Sequence, residues 1–440
     1  MSHMKKYEHK RSSVRFDVGE FGAVGNGVAD DTKAINEAIL AAEASGGGVV
    51  IFPKGTFKCM AVRPKSAVTL QGQGWGESIL KGFDDKSDNG LIDGTGYFSY
   101  ASPLTEFNMY DLELDGKDMN RNGYHYNRKG IGNQWIKNSI FHNIFVHDTP
   151  ATAIGTDFTI NVYFSSCLVK DCGTEGRVGN GIGSNGFGIG VGDVTEVVVF
   201  SGCQAIGIAN NGFTLEAQVT QGLGYASITD CYTERCKNAG YSNSGSRGVT
   251  IDSCTDSGSK LGVYVSTNAS QPGDQTIVSD SNFIKQQSHG VYSDDPANNH
   301  LQIKGCLFEG CGGSAIKSLG SYCSFTNNTF KGCREATILC QPGVNAVGKA
   351  YLIADNLILN GGAAGVEVDS TNQAIVGLIV KGNIILDCEG AGIKANCKSG
   401  VESGNYTASI IEGNVCNGNS APQVDVPSAC RGLIVRNNVE

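Results

Sequence analysis

The chain has 440 residues, of which 61 are glycine and only 9 proline, with 40% apolar and 18% charged residues and a net charge of -9. That composition excludes a disordered chain, and no apolar run reaches the roughly 20 residues of a membrane-spanning helix. The acidic balance and the absence of a basic stripe argue against a nucleic-acid partner.

Residues 1–14 read as a tag and linker, with Met1-Ser2-His3-Met4 as a cloning scar, and no secretory signal is visible. Residues 15–60 form a capping segment. Asp30-Asp31-Thr32 precedes Ala34-Ile35-Asn36-Glu37-Ala38-Ile39-Leu40-Ala41-Ala42, whose apolar residues recur at spacings of three and four. This predicts an amphipathic helix with aspartate as its cap, ended by Gly46-Gly47-Gly48. Val49-Val50-Ile51-Phe52 then reads as a strand.

From residue 61 to 440 the chain repeats at about 22 to 28 residues. Each unit opens on a small residue followed by alternation, as in Gly212-Phe213-Thr214-Leu215-Glu216, Gly262-Val263-Tyr264-Val265-Ser266 and Gly290-Val291-Tyr292-Ser293-Asp294. Ile131, Ile154, Ile189 and Tyr241 are placed at the equivalent inward position upstream. Two more short strands follow in each unit, such as Leu301-Gln302-Ile303 and Leu307-Phe308-Glu309. Three alternating strands per repeat predict an all-β chain coiled as a parallel β-helix. The corner column reads Cys at 167, 203, 231, 254 and 306, and Asn at 282, 328, 356, 383, 414 and 437. Small side chains turned inward at a tight bend explain both types. Most of the 16 cysteines are therefore expected to be buried and unpaired, not disulfides or metal ligands.

Phe16-Asp17-Val18, Phe21-Gly22-Ala23, Gly27, Asp30-Asp31-Thr32, the Ala/Ile helix, Gly46-Gly47-Gly48, Pro53 and Gly55 resemble the entry motif of the pectate-lyase-like β-helix superfamily. That group includes polygalacturonases, tailspike depolymerases and mannuronan epimerases. The resemblance implies a right-handed parallel β-helix with a short N-terminal capping helix, a polysaccharide substrate and an extracellular or virion-associated location. It makes a homotrimer a candidate assembly. No cofactor and no metal are expected, because no C-x2-C pair occurs and no arginine stands on the exposed columns to serve a calcium-dependent lyase.

Alternation turns every second side chain outward, so stacked coils write the exposed face as columns. One column reads Asp157, Gly192, Glu216, Ser244, Ser266 and Asp294, with Asp193 one residue beyond Gly192. Its neighbour reads Gly155, Gly190, Thr214, Ser242, Tyr264, Tyr292 and Lys317. Asp157, Asp193 and Glu216 are thus candidate catalytic residues. Two coils separate Asp157 from Glu216, which places their backbones about 10 Å apart, and side chains can shorten this to the roughly 6.5–9.5 Å of an inverting carboxylate pair. The spacing from Ile154 to Ile189 is 35 residues, and the excess holds Glu175 and Arg177, candidate sugar contacts on a loop. His125 and Lys129, in Gly123-Tyr124-His125-Tyr126-Asn127-Arg128-Lys129, are further candidates, and Tyr264 and Tyr292 are a candidate sugar platform or a self-stacked pair.

Three readings stand. The first is an endo-glycosidase, or depolymerase, of a bacterial surface or extracellular polysaccharide, worked by the carboxylates. The second is a polyuronate lyase or epimerase. Epimerases of the resembled group carry Tyr-Gly-Phe-Asp-Pro-His, whereas Ala153-Ile154-Gly155-Thr156-Asp157-Phe158 here lacks the Tyr and the His. The third is a glycan-binding or tail-structural protein without catalysis.

Overall fold

The computed structural model describes residues 14–97, 99–174, 184–192, 196–219, 224–343, 346–371, 373–397 and 406–439. Asp193, Glu175 and Arg177 lie outside the described residues. The chain is a right-handed parallel β-helix and divides into two compact units. The first is Met1–Gly190 with Glu196–Asn210; the second is Val191–Thr195 with Asn211–Glu440.

In the first unit the helix Thr32–Ala44 buries Ala34, Ile35, Ala38, Ile39 and Ala42 against the strands Arg15–Asp17, Gly48–Ile51 and Val68–Gln71. The expected aspartate cap differs in detail. Asp31 makes no cap bond with the helix; its buried carboxylate accepts from Val24 N and Gly25 N at 2.7 and 3.1 Å, so it fixes the preceding turn. Asp30 instead accepts from Thr32 N at 3.0 Å. Coils follow in parallel register, with Phe141, Phe164 and Phe200 stacked inward and Phe107 meeting Phe141 edge-on; the Phe141–Phe164 and Phe164–Phe200 centroids are 5.0 and 4.9 Å apart. Each such contact contributes about 0.5–1.5 kcal/mol beyond burial.

One sheet of this unit positions the candidate site. Ile131–Gln134 pairs with Ile92–Gly94 and with Ile154–Asp157, which pairs in turn with Phe187–Val191. Here the structure corrects the expected register. Ile154 faces Phe187, Thr156 faces Ile189, and Asp157 faces Gly190, not Gly192. Phe187 takes the inward place because its ring packs on Phe164 and Phe200 at 6.0 and 5.4 Å. A shift of two keeps every side chain on its own face, so alternation alone does not reveal it.

In the second unit the same inward position runs Tyr241, Val263, Val291, Ile316, Ile338, Val366 and Ile393, all buried. The outward column Thr214, Ser242, Tyr264, Tyr292 and Lys317 stands in the expected register. Asn328, Asn356, Asn383 and Asn414 form an inward ladder, each amide nitrogen donating to the next Oδ1 at 2.9–3.1 Å. Asn414 passes the chain to Asn438, not Asn437. Likewise Ser281, not Asn282, receives the amide of Cys254 in this column. The corner explains both corrections. It needs a left-handed residue just before the inward one, and Asp280 (φ 48°) and Asn437 (φ 51°) take that role. Fourteen cysteines are free and all are buried, while Cys397 and Cys430 form a disulfide.

Candidate active site

In the first unit, alternation sends Ile131, Asn133, Ile154 and Thr156 inward and leaves Gly132, Gly155, Gln134 and Asp157 on the outer face. Gly188 faces Gly155 and Gly190 faces Asp157, so the outer face is floored by four glycines. The side chain of Lys129 lies across this floor. A Cβ built at Gly155 would stand 2.8 Å from both Lys129 Cδ and Nζ. Only glycine leaves Lys129 in that position.

Asp157 is the next outward residue on the strand, about 6.6 Å along from Gly155 by strand rise. It is half-buried, and its carboxylate has no hydrogen-bond or ion-pair partner among the described residues. The ammonium of Lys129 has none either. Two opposite charges thus stand on one glycine-lined face without being consumed by the fold, and Thr152 and Asn185 pack against its Gly188 end. Asp93, one strand earlier in the glycine row, is by contrast fully engaged: it meets Arg63 at 2.8 Å and accepts from Thr95 Oγ1 at 2.5 Å. Behind the floor, Asn133 and Thr156 are register neighbours whose buried side-chain polar atoms have no partner among the described residues. Unsatisfied buried groups cost about 1–3 kcal/mol each.

The loop carrying Lys129 is built rigidly. Arg128 is buried, donating to Asp88 at 3.0 and 2.7 Å and to the carbonyl of Gly123 at 2.7 Å. His125 stacks on Tyr126 at 4.7 Å and its Nδ1 accepts from Asn127 N at 3.3 Å. Both His125 and Lys129 are therefore on an anchored segment, and Lys129 reaches the floor. Beside Asp157 the strand ends in an aromatic pair that periodicity did not reveal. Trp135 and Phe158 stack at 4.3 Å with 9° between planes, and Tyr100 meets Phe158 edge-on at 6.0 Å. Trp135 N donates to Asp157 O at 2.8 Å, which locks the pair to the site. The available signal was the aromatic immediately after Gln134 and after Asp157, two positions that share one register. At the other side of Gly132, a cavity of about 670 Å³ is lined by Arg63, Lys65, Asp93, Gly94 and Tyr97.

Glu216 belongs to the second unit. Its carboxylate accepts from Gln218 Nε2 at 3.0 Å. Tyr264 and Tyr292 stack on each other with centroids 6.1 Å apart, and Lys317 Nζ sits 5.6 Å over the Tyr292 ring. Tyr264 OH donates to Asp294. Burial and this carboxylate hold the Tyr264 phenol protonated far above its ordinary range, and burial pushes the Asp294 carboxyl up.

Among the described residues of the first unit, Asp115, His147 and Asp148 form a cluster with metal-ligand chemistry, their ligand atoms within 4.8 Å of each other. His147 shares its ring nitrogens with Asp148 Oδ2 at 2.8 Å and Glu113 Oε1 at 3.3 Å. Burial lowers its pKa, but the bonds to Glu113 and Asp148 and the Asp115 charge override that and bring it up to about 9. Near neutral pH both nitrogens are therefore donors, so the cluster works as an ion-pair network.

The model of the rhamnogalacturonase A/epimerase, pectate lyase-like family matches residues 15–264, and that of the right-handed beta helix region matches residues 218–330 and 261–439. Mannuronan C5-epimerase AlgE1 of Azotobacter vinelandii is 39% identical over 111 residues, 23% of this chain and 8% of that protein. Alginate lyase 7 of the same organism is 29% identical over 184 residues, 38% of this chain and 21% of its own length. The matches thus span about a fifth or less of these relatives. Among solved structures, the catalytic unit of the GH87 alpha-1,3-glucanase of Streptomyces thermodiastaticus superposes with a TM-score of 0.51 at 16% identity, covering 80% of this chain and 69% of that one. This last likeness concerns the fold alone. With its first family match running over more than half of the sequence, the chain belongs to the rhamnogalacturonase A/epimerase, pectate lyase-like family.

Proposed function

We propose that this protein is a polysaccharide-active enzyme that acts on an acidic glycan by elimination at a uronate residue. One observation carries the reading: the unpartnered ammonium of Lys129 and the unpartnered carboxylate of Asp157 stand over the same glycine floor. A uronate ring lying on that floor brings its carboxylate to Lys129, which neutralises it and acidifies the proton on the adjacent carbon. Asp157 accepts that proton. The electron pair forms a carbon–carbon double bond as the glycosidic bond breaks, and the leaving oxygen takes a proton from solvent water, whose hydroxide then recovers the proton held by Asp157. Trp135 and Phe158 supply an apolar wall beside the reacting ring. The curated relatives, named for mannuronan and for alginate, support an acidic substrate.

Hydrolysis with Asp157 as a working carboxylate is the second reading, supported by a half-buried side chain with no hydrogen-bond or ion-pair partner among the described residues. Digestion of a panel of uronate-containing and neutral polysaccharides separates the two. Elimination gives an ultraviolet-absorbing unsaturated end, and hydrolysis gives new reducing ends without it. Asp157→Asn should lose at least about a hundredfold in rate, the lower range for proton-transfer groups, and Lys129→Gln should fall with it. Reducing ends without unsaturation would overturn elimination. Cleavage of no substrate would leave a binding protein.

A further inference from the structure

The second unit has its own set of unspent donors. Tyr292 and Lys317 are register neighbours on the outer face, and Lys317 Nζ lies 5.6 Å from the Tyr292 ring centre. The His289 ring centre is 5.2 Å from the same ring. His289 Nδ1 accepts from Ser314 N at 3.0 Å, which assigns the ring proton to Nε2. Burial and the Lys317 charge lower the His289 pKa and keep it neutral. The ammonium of Lys317, the hydroxyl of Tyr292 and Nε2 of His289 have no hydrogen-bond or ion-pair partner among the described residues. Two carboxylates act nearby. Asp294 is engaged by Tyr264 OH, and the charge of Glu335 reaches His289 from an exposed position. The tyrosine rings face each other and Lys317, so they offer hydroxyl edges instead of an open stacking face.

We propose that Lys317, Tyr292 and His289 form a subsite for an oxyanion carried on a sugar, a carboxylate or a sulfate. One cation and two neutral donors grouped about the Tyr292 ring suit a planar or tetrahedral anion, and bonds to charged groups are the stronger kind. The neutral His289 gives the site a donor without a second ammonium to desolvate. The inference rests on the reading that the chain takes a polysaccharide, but not on the chemistry at Asp157.

Calorimetry on the full chain carrying Asp157→Asn, which leaves the probes intact, tests this. The probes are trigalacturonate, a sulfated galactan trisaccharide and neutral maltotriose. Lys317→Gln should weaken binding of the anionic probe about tenfold, the equivalent of one charge-assisted bond. Lys317→Arg should stay within about threefold of the parent, because the charge remains. Whichever anionic trisaccharide shows the Lys317-dependent event identifies the oxyanion, and maltotriose should show none. Identical isotherms for the parent and Lys317→Gln would overturn the subsite, as would absence of binding by both anionic probes. Unsaturated product from wild-type enzyme alongside identical isotherms would sink the subsite and leave elimination standing. Lys317-dependent binding without turnover of any glycan would do the reverse.

Discussion

Asn356 is an interior member of the inward ladder, bonded to the coils on both sides, and its removal should be costly. Its Oδ1 accepts from Asn328 N at 3.0 Å and Asn328 Nδ2 at 3.1 Å. Its Nδ2 donates to Phe325 O and Asn383 Oδ1, both at 2.9 Å. The residue is buried, so no solvent replaces these bonds. Four hydrogen bonds at a net ~1 kcal/mol each give a loss of about 4 kcal/mol for Asn356→Ala. Asn356→Cys should cost about half as much, because a thiol already fills this column at Cys306, donating to Val278 O at 3.7 Å. Urea unfolding with a reductant present, followed by circular dichroism, reads the difference as a shift in midpoint at constant slope. A loss below about 1 kcal/mol for the alanine variant would refute the ladder as a stabilising element.

Two further outcomes follow from the first unit. Gly155→Val should displace the flexible end of Lys129, which stands 2.8 Å from the new Cβ, and so reduce turnover at least about tenfold. The melting temperature should change little, and an unaltered rate would detach Lys129 from the chemistry. His147 titrates higher in the folded chain, at about 9 against an ordinary 6.5, so its contribution is complete below pH 6.5 and is lost as pH rises through 9. That difference is worth about 3 kcal/mol at most. A urea midpoint that falls over this window in the wild type, but stays flat in His147→Gln, is the expected result.

Much of this was legible in the sequence because period-two alternation with recurring small residues has few solutions. Thr214, Ser242, Tyr264, Tyr292 and Lys317 fell in register from spacing alone. The register at Phe187 did not, because Phe187, Ile189 and Val191 are all apolar and any of them satisfies the inward face. Asn437 and Asn438 were indistinguishable by type; only the left-handed backbone at Asn437 decides which turns inward. Trp135 and Phe158 follow strand ends with φ of 48° and 56°, where an aromatic reads as an ordinary loop residue. The approach of Lys129 to Gly155 depends on how Arg128 anchors its loop on Asp88, a contact over 40 residues of sequence.

The fourteen buried thiols carry a consequence for handling and for lifespan. Thiolate, not thiol, attacks disulfides and oxidants. Burial pushes Cys172 and Cys323 up to about 11 and Cys306 up to about 12, so at neutral pH the folded chain holds almost no thiolate at these positions. Unfolding reverses this at a stroke, since each released thiol returns to a pKa of about 8.5. The Cys397–Cys430 bond then becomes a target for exchange along the whole chain. Denaturation in air is thus a one-way event. The working durability of this protein outside a reducing environment is set by how rarely it opens, a rate and not an equilibrium.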